Sequence, residues 1–249
     1  MAGERGLGEP ERGEQVSQGK AKIIYRADGD GQLLMEFTDQ ATALDGGKVG
    51  SFARKGQINA EVSAHLFQVL SERGIPNHFL EQVDERTLLV RKLEIIPVEV
   101  VVRNVVAGSL SRRLGIEEGA EMARPVLEMY LKDDELNDPM INRYHALALG
   151  LATSSELSFV EEEAWRVNSV LSDFLSDCDL LLVDFKLEFG RLGDQTLLGD
   201  EISPDTCRLW DRQSGDRLDK DLFRRDLGGE TGAYVEVLRR IRKRRGLDV

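Results

Sequence analysis

Apolar residues recur along the chain with two different periods. Between Gln57 and Glu72 they fall at Ile58, Val62, Leu66, Val69 and Leu70, the spacing of one helix face. Gly74-Ile75-Pro76 then predicts a stop. Lys20 to Tyr25 and Leu33 to Phe37 read as strands, and Asp28-Gly29-Asp30-Gly31 between them as a hairpin turn. Thr87 to Leu93 predicts another strand, and Val98-Glu99-Val100-Val101-Val102-Arg103 a buried one. Helices are predicted at about 109–115, 158–177 and 219–243. The most informative stretch is Leu180-Leu181-Leu182-Val183-Asp184-Phe185-Lys186-Leu187-Glu188-Phe189. As a strand it turns Asp184, Lys186 and Glu188 to one face and Phe185, Leu187 and Phe189 to the other. Leu197-Leu198-Gly199-Asp200-Glu201 reads as its return strand. A five-residue loop, 190–194, would pair Phe189 with Gln195 and set Asp200 opposite Asp184; a slip of one residue would turn Asp200 to the other face. Mixed helices and antiparallel hairpins predict an α+β fold. A boundary near residue 93 divides a strand-rich N-terminal part, 1–93, from a second α+β part, 94–249. Residues 1–18 read as a loose tail.

Charge narrows the possibilities. The net charge of −12 over 249 residues argues against general nucleic-acid binding. The run Arg239-Arg240-Ile241-Arg242-Lys243-Arg244-Arg245 is the exception, and reads as a helix end, where cations suit the dipole. No stretch approaches the ~20 apolar residues of a membrane span. The N-terminus lacks the apolar core of a signal peptide, so a cytoplasmic protein is expected. Cys178 and Cys207 suit neither a zinc site nor a disulfide framework and are expected as reduced, partly buried thiols. His65 and His78 read as a helix-face and a loop residue, and His145 has no evident partner.

Because the chain is acidic, an anionic substrate must be gathered by placed residues. Two carboxylates and an ammonium on the Asp184–Glu188 face suit a metal ion and a polyphosphate, although solvated charges on an edge hairpin would give the same pattern. In Gly19-Lys20-Ala21-Lys22 two lysines share a strand face and could cover nucleotide phosphates, without the Walker pattern. In Arg103-Asn104-Val105-Val106-Ala107-Gly108-Ser109-Leu110, Ser109 reads as an N-cap and Arg103 as a guanidinium aimed at the same helix N-terminus, a pocket for phosphate or carboxylate. Arg208 is a second anion clamp just downstream of Asp200. Asp39 to Gly46 suits an active-site rim or any polar turn, and Lys132 to Pro139 a solvated loop. Acids for magnesium, lysines for phosphates and arginines for a second anion fit phosphoryl transfer.

Together these pieces resemble the phosphoribosylaminoimidazole-succinocarboxamide synthase, or SAICAR synthetase, family of purine biosynthesis. The matching segments are Gly19-Lys20-Ala21-Lys22, Pro97 to Asn104, Ala107-Gly108-Ser109-Leu110, Asp138-Pro139-Met140, Val183 to Gly190, Leu198-Gly199-Asp200-Glu201 and Arg208-Leu209-Trp210-Asp211. The resemblance implies a two-lobed fold similar to kinases and ATP-grasp enzymes, with ATP between the lobes. It implies a homodimer, and ATP-dependent joining of L-aspartate to carboxyaminoimidazole ribonucleotide (CAIR) through an acyl phosphate. In the roles so implied, Glu188 and Asp200 hold Mg2+, and Lys20 and Lys22 cover the ATP phosphates. Val90, Leu93 and Glu94 receive adenine. Arg103, Ser109 and Arg208 grip the ribotide. Lys186 neutralises developing charge, while Asp184 accepts the amine proton or orients Lys186. Asp45, Lys132 and Asp138 lie toward the aspartate. Thr42-Ala43-Leu44-Asp45 departs from the Ser-Ala that often precedes the family's acid, while keeping a hydroxyl. A small-molecule kinase, or a nucleotide-regulated RNA-binding protein using residues 239–245, remains the alternative at this level.

Overall fold

The computed structural model describes residues 11–43 and 47–248. Five antiparallel strands form the first sheet, in the order β1 (Gln15–Gln18), β2 (Lys22–Arg26), β3 (Gln32–Phe37), β7 (Thr87–Arg91) and β6 (Phe79–Asp84). Between β3 and β6 the chain makes a two-stranded ribbon, β4 (Gln40–Ala43) and β5 (Lys48–Ser51), and the helix α1 (Lys55–Glu72). The second sheet begins three residues after β7. Its order is β10 (Met140–Ile141), β9 (Glu121–Leu131), β8 (Glu94–Val105), β11 (Leu180–Leu192) and β12 (Gln195–Gly199), with β13 (Cys207–Asp211) also on β11. Helix α2 (Gly108–Leu114) follows β8, and α3 (Arg143–Ala148) and α4 (Ser154–Ser176) precede β11. Helices α5 (Asp221–Arg224) and α6 (Glu230–Arg245) close the chain.

One edge of β11 serves two strands. Leu180 to Phe185 pair with β13, and Glu188 to Leu192 with β12. The chain leaving β12 loops through residues 200–206 before it enters β13. In that gap the Lys186 N–H donates to the Thr206 carbonyl at 2.9 Å. The charged centre of β11 therefore faces the point where its two partners part.

The apolar faces of both sheets, α1, α4 and α6 merge into one core. It includes Phe37, Ile58, Phe67, Leu70, Val100, Val102, Leu171, Phe185, Leu187, Phe189 and Tyr234. Each such side chain contributes about 1.5–3 kcal/mol by leaving water. The alternation on β11 thus works as predicted: Phe185, Leu187 and Phe189 anchor the strand so that its charged face is fixed.

Four expectations are corrected. Residues 15–18 are not a loose tail but the edge strand β1, and Gly13 N–H donates to the Arg26 carbonyl at 3.0 Å. The β11–β12 loop is Gly193-Asp194, not five residues, because the alternation runs on through Arg191-Leu192 and Gly193 adopts φ +58 in a tight turn. Leu198 therefore faces Phe189, Gly199 faces Glu188, and Asp200 lies one residue beyond Glu188's partner rather than opposite Asp184. The helix expected over 219–243 is two, α5 and α6, because Gly228 and Gly229 take left-handed φ of +72 and +81. Ser109 is not the N-cap of α2: the extended residue before the helix is Ala107, and no side chain caps it.

Candidate active site

The acids and lysines form one interleaved cluster. Lys186 Nζ donates to Glu99 Oε1 and to Glu188 Oε1, both at 2.6 Å. Glu99 reaches it because β8 pairs Glu99 directly with Glu188. Lys132, at the end of β9, donates to the same Glu188 oxygen at 2.8 Å. Burial alone would lower the Lys186 pKa, but the carboxylates of Glu188, Asp200 and Glu99 outweigh it and hold the ammonium protonated. Burial and the nearby Asp200 charge work to raise Glu188, yet Lys186 and Lys132 keep it below the ordinary carboxylate range. Glu99 moves the other way, raised by burial despite Lys186.

Asp200 sits at φ +55, a conformation that costs a non-glycine residue free energy. Lys22, the first residue of β2, bonds its carboxylate and lies 3.0 Å from Glu201. Against the cost of burial, these acids raise the Lys22 pKa. Lys20, just ahead of β2, pairs with Asp134 of the turn after β9 at 2.7 Å. His78 does lie in the loop between α1 and β6, but it is buried: its Nε2 lies 3.0 Å from the Asp200 carbonyl, and its ring meets Phe67 edge-on. Burial pushes its pKa down to about 4, so the ring is neutral at pH 7.

Two residues back along β11, Asp184 gathers guanidinium groups. Arg103 Nη1 donates to it at 2.7 Å, and Arg208 Nη1 to both of its oxygens at 2.9 and 3.0 Å. Arg103 also donates to Glu128 at 2.5 Å, Ser109 Oγ at 2.9 Å and Tyr130 Oη at 3.2 Å. Arg208 Nε reaches Asp221 at 2.9 Å. The side chains alternate in sign from Arg113 through Glu128, Arg103, Asp184, Arg208 and Asp221 to Arg224. Asp184 does not orient Lys186; that lysine is set by Glu99 and Glu188. Arg208 can lie where it does because residue 108 is glycine: a Cβ there would be 2.5 Å from Arg208 Nη2.

The remaining predicted residues are spread more widely. Val90 is in the core, while Leu93 packs over Gly190 and Gly199. Glu94 is exposed and pairs with Arg191 at 3.0 Å. Asp138 folds back on its own turn, accepting from Asp133 N–H at 2.9 Å. Asp45 lies outside the described residues. Sequence reasoning missed Glu99, Glu128, Tyr130 and Arg113 as members of the site. The basic run at the C-terminus is occupied internally, with Arg240 on Asp211, Arg242 on Glu61, Arg244 on Asp177 and Arg245 on Glu72. Both thiols are free and buried.

Interleaved acids and lysines beside paired arginines make an arrangement suited to binding anions. The chain belongs to the SAICAR synthetase family, whose model matches residues 15–241. It is 50% identical over 233 residues to the phosphoribosylaminoimidazole-succinocarboxamide synthase of Desulfitobacterium hafniense (strain DSM 10664 / DCB-2), covering 94% of this chain and 98% of the relative. Among solved structures it resembles the Ehrlichia chaffeensis synthase, with TM-score 0.90 and 40% identity over 92% of this chain and 98% of that one. It also resembles a type-2 SAICAR synthetase in complex with ADP, with TM-score 0.88 and 50% identity over 91% of this chain and 97% of that one.

Proposed function

We propose that this chain is the ATP-dependent ligase that joins L-aspartate to CAIR, giving SAICAR, ADP and phosphate. The observation that carries the site assignment is the position of Lys186. It is held between Glu99 and Glu188 on the same strand face where Arg103 and Arg208 meet at Asp184. Residues 1–93 supply the nucleotide side, with Val90, Leu93 and Glu94 receiving adenine and Lys20 and Lys22 over the phosphates. Arg103, Ser109 and Arg208 hold the ribotide, and Asp184 aligns the two guanidinium groups. Lys132, Asp138 and Asp45 are assigned to the aspartate side.

A CAIR carboxylate oxygen attacks the γ-phosphorus and ADP leaves. The aspartate nitrogen then attacks the acyl carbon, phosphate leaves with the C–O bond electrons, and the nitrogen loses a proton as the amide forms. Lys186 neutralises charge on the transferring phosphoryl group, where a fixed ammonium in a dry site acts most strongly. Glu188 and Asp200 are the residues that would hold Mg2+. They are hard oxygen donors, and the Asp200 charge works against that of Glu188, which a bound cation would relieve. Magnesium there would supply charge neutralisation to the phosphates.

ADP release is measured with ATP and Mg2+, omitting CAIR or aspartate in turn. Turnover that needs both supports the ligase, whereas ADP release with CAIR alone would favour a kinase. Glu188→Gln and Asp200→Asn should each lower kcat at least about 100-fold while the unfolding temperature stays within a few degrees. Near-normal rates would remove them as metal ligands. We further propose that the protein is cytoplasmic and a homodimer; sedimentation at twice the chain mass tests the latter.

A further inference from the structure

Helix α1 carries a buried polar stripe that the mechanism above leaves unused. Lys55, Asn59 and Ser63, spaced by four, share one helix face and are all at most 1% exposed. The stripe meets the loop 200–206 between β12 and β13. Ser63 Oγ accepts from Ile202 N–H at 3.2 Å, and Lys55 Nζ lies 2.6 Å from Asp205 Oδ2. Asp205 is tied from two further sides. Tyr234 Oη of α6 donates to it at 2.7 Å, and Lys220 Nζ, next to the Arg208 partner Asp221, stands 3.8 Å away.

The loop continues from Asp205 into the site in both directions. Asp205 N–H donates to Ser203 Oγ at 3.1 Å, and that hydroxyl donates to Glu201 at 2.7 Å. Glu201 and Asp200 meet Lys22. Toward the C-terminus, Thr206 accepts from the Lys186 N–H, and Arg208 follows two residues later. A buried ion pair is a poor source of stability, because desolvation offsets its attraction. It is a good source of definite position. We propose that Lys55, acting through Asp205, is a positioning residue of the ligase site, fixing the loop that sets Asp200 at one end and Arg208 at the other. This inference rests on the proposed reading of that site.

The test is steady-state kinetics of the full chain with ATP, aspartate and the ribotide, beside thermal unfolding. Tyr234→Phe removes one hydrogen bond from Asp205. Lys55→Met combined with Asp205→Asn removes the two paired charges together, so that neither is left buried without its partner. The KM for the ribotide and for ATP should rise about threefold in the first variant and about tenfold in the second, since small misplacements of binding groups are costly. A residue that only stabilised the fold would lower the unfolding temperature and leave both KM values alone. Wild-type KM values in either folded variant overturn the positioning role. If the double variant does not fold, Tyr234→Phe decides. A wild-type chain that does not turn over with all three substrates overturns the ligase reading itself, and this inference with it.

Discussion

At Gly108 the backbone takes φ +55, and the space a Cβ would fill holds the Arg208 guanidinium. Gly108→Ala should cost about 1–3 kcal/mol of stability and displace Arg208, raising the ribotide KM at least about tenfold. Kinetics with a urea titration would check both. Asp219 offers a pH test. Burial and its neighbour Asp221 push its pKa up to about 7, from 3.8, although its carboxylate accepts from Leu209 and Asp221 N–H. The folded state thus keeps a proton that the unfolded state has already lost. Stability falls as pH rises from about 4 to 7, and Asp219→Asn should flatten that slope while lowering stability throughout, because its amide nitrogen cannot accept the second N–H. Urea midpoints for both proteins between pH 4 and 8 would show the difference; parallel curves would refute it. At this scale the sequence was partly legible. Lys186 and Glu188 were readable because they alternate with Phe185, Leu187 and Phe189, Asp200 as an acid next to the return strand though not in its place, and Arg103 because it ends an apolar run. Glu99 lies between Val98 and Val100, and Glu128 between Leu127 and Met129, so each reads as an interruption. Their roles emerge only when β8 pairs Glu99 with Glu188 and Arg103 reaches across to Glu128.

β2, β3, β7, β8, β11, β12 and α1 were legible because their periods are local properties, whereas β1, β4, β5, β6, β9, β10 and β13 were not read as strands. Pairing is not local, and there the reading slipped: the alternation continuing through Arg191-Leu192 marks a two-residue turn only once Leu192 is seen opposite Gln195. The tight turn has a steric corollary. Gly190 faces the start of β8, and a Cβ there would be 2.7 Å from Leu93 Cβ and 2.9 Å from the Glu94 carbonyl. Gly190→Ala should destabilise by about 1–3 kcal/mol and weaken nucleotide binding, because the strand must move at the residues assigned to adenine. Calorimetric titration with ADP and a melting curve would measure the two effects. ADP affinity equal to wild type would remove Leu93 and Glu94 from the nucleotide site. The split of helix 219–243 could be read from Gly228-Gly229, but helical spacing on both sides masked it.

Across the molecule, the basic C-terminal run acts as a clasp rather than a docking tail. Arg242 and Arg245 hold α6 to Glu61 and Glu72 of α1, and Arg240 and Arg244 hold it to Asp211 at the end of β13 and Asp177 at the end of α4, both beside the start of β11. Exposed pairs of this kind contribute about 0.2–1 kcal/mol each. Arg242→Glu with Arg245→Glu should lower the unfolding temperature by several degrees at low ionic strength and less at high salt. RNA affinity lost on the same change would revive the tail reading, which the overall charge and the internal pairing oppose. The clasp joins segments far apart in sequence: Arg242 and its partner Glu61 are 181 residues apart. At about 5–20 residues per second, α1 leaves the ribosome roughly ten to forty seconds before α6 exists to cover it. Every strand of both sheets has been translated by then, yet Tyr234 and Val237, which fill the core beside α1, have not. The core is thus closed only once α6 is made, and a nascent chain must keep this face of α1 uncovered until residues 230–245 have emerged.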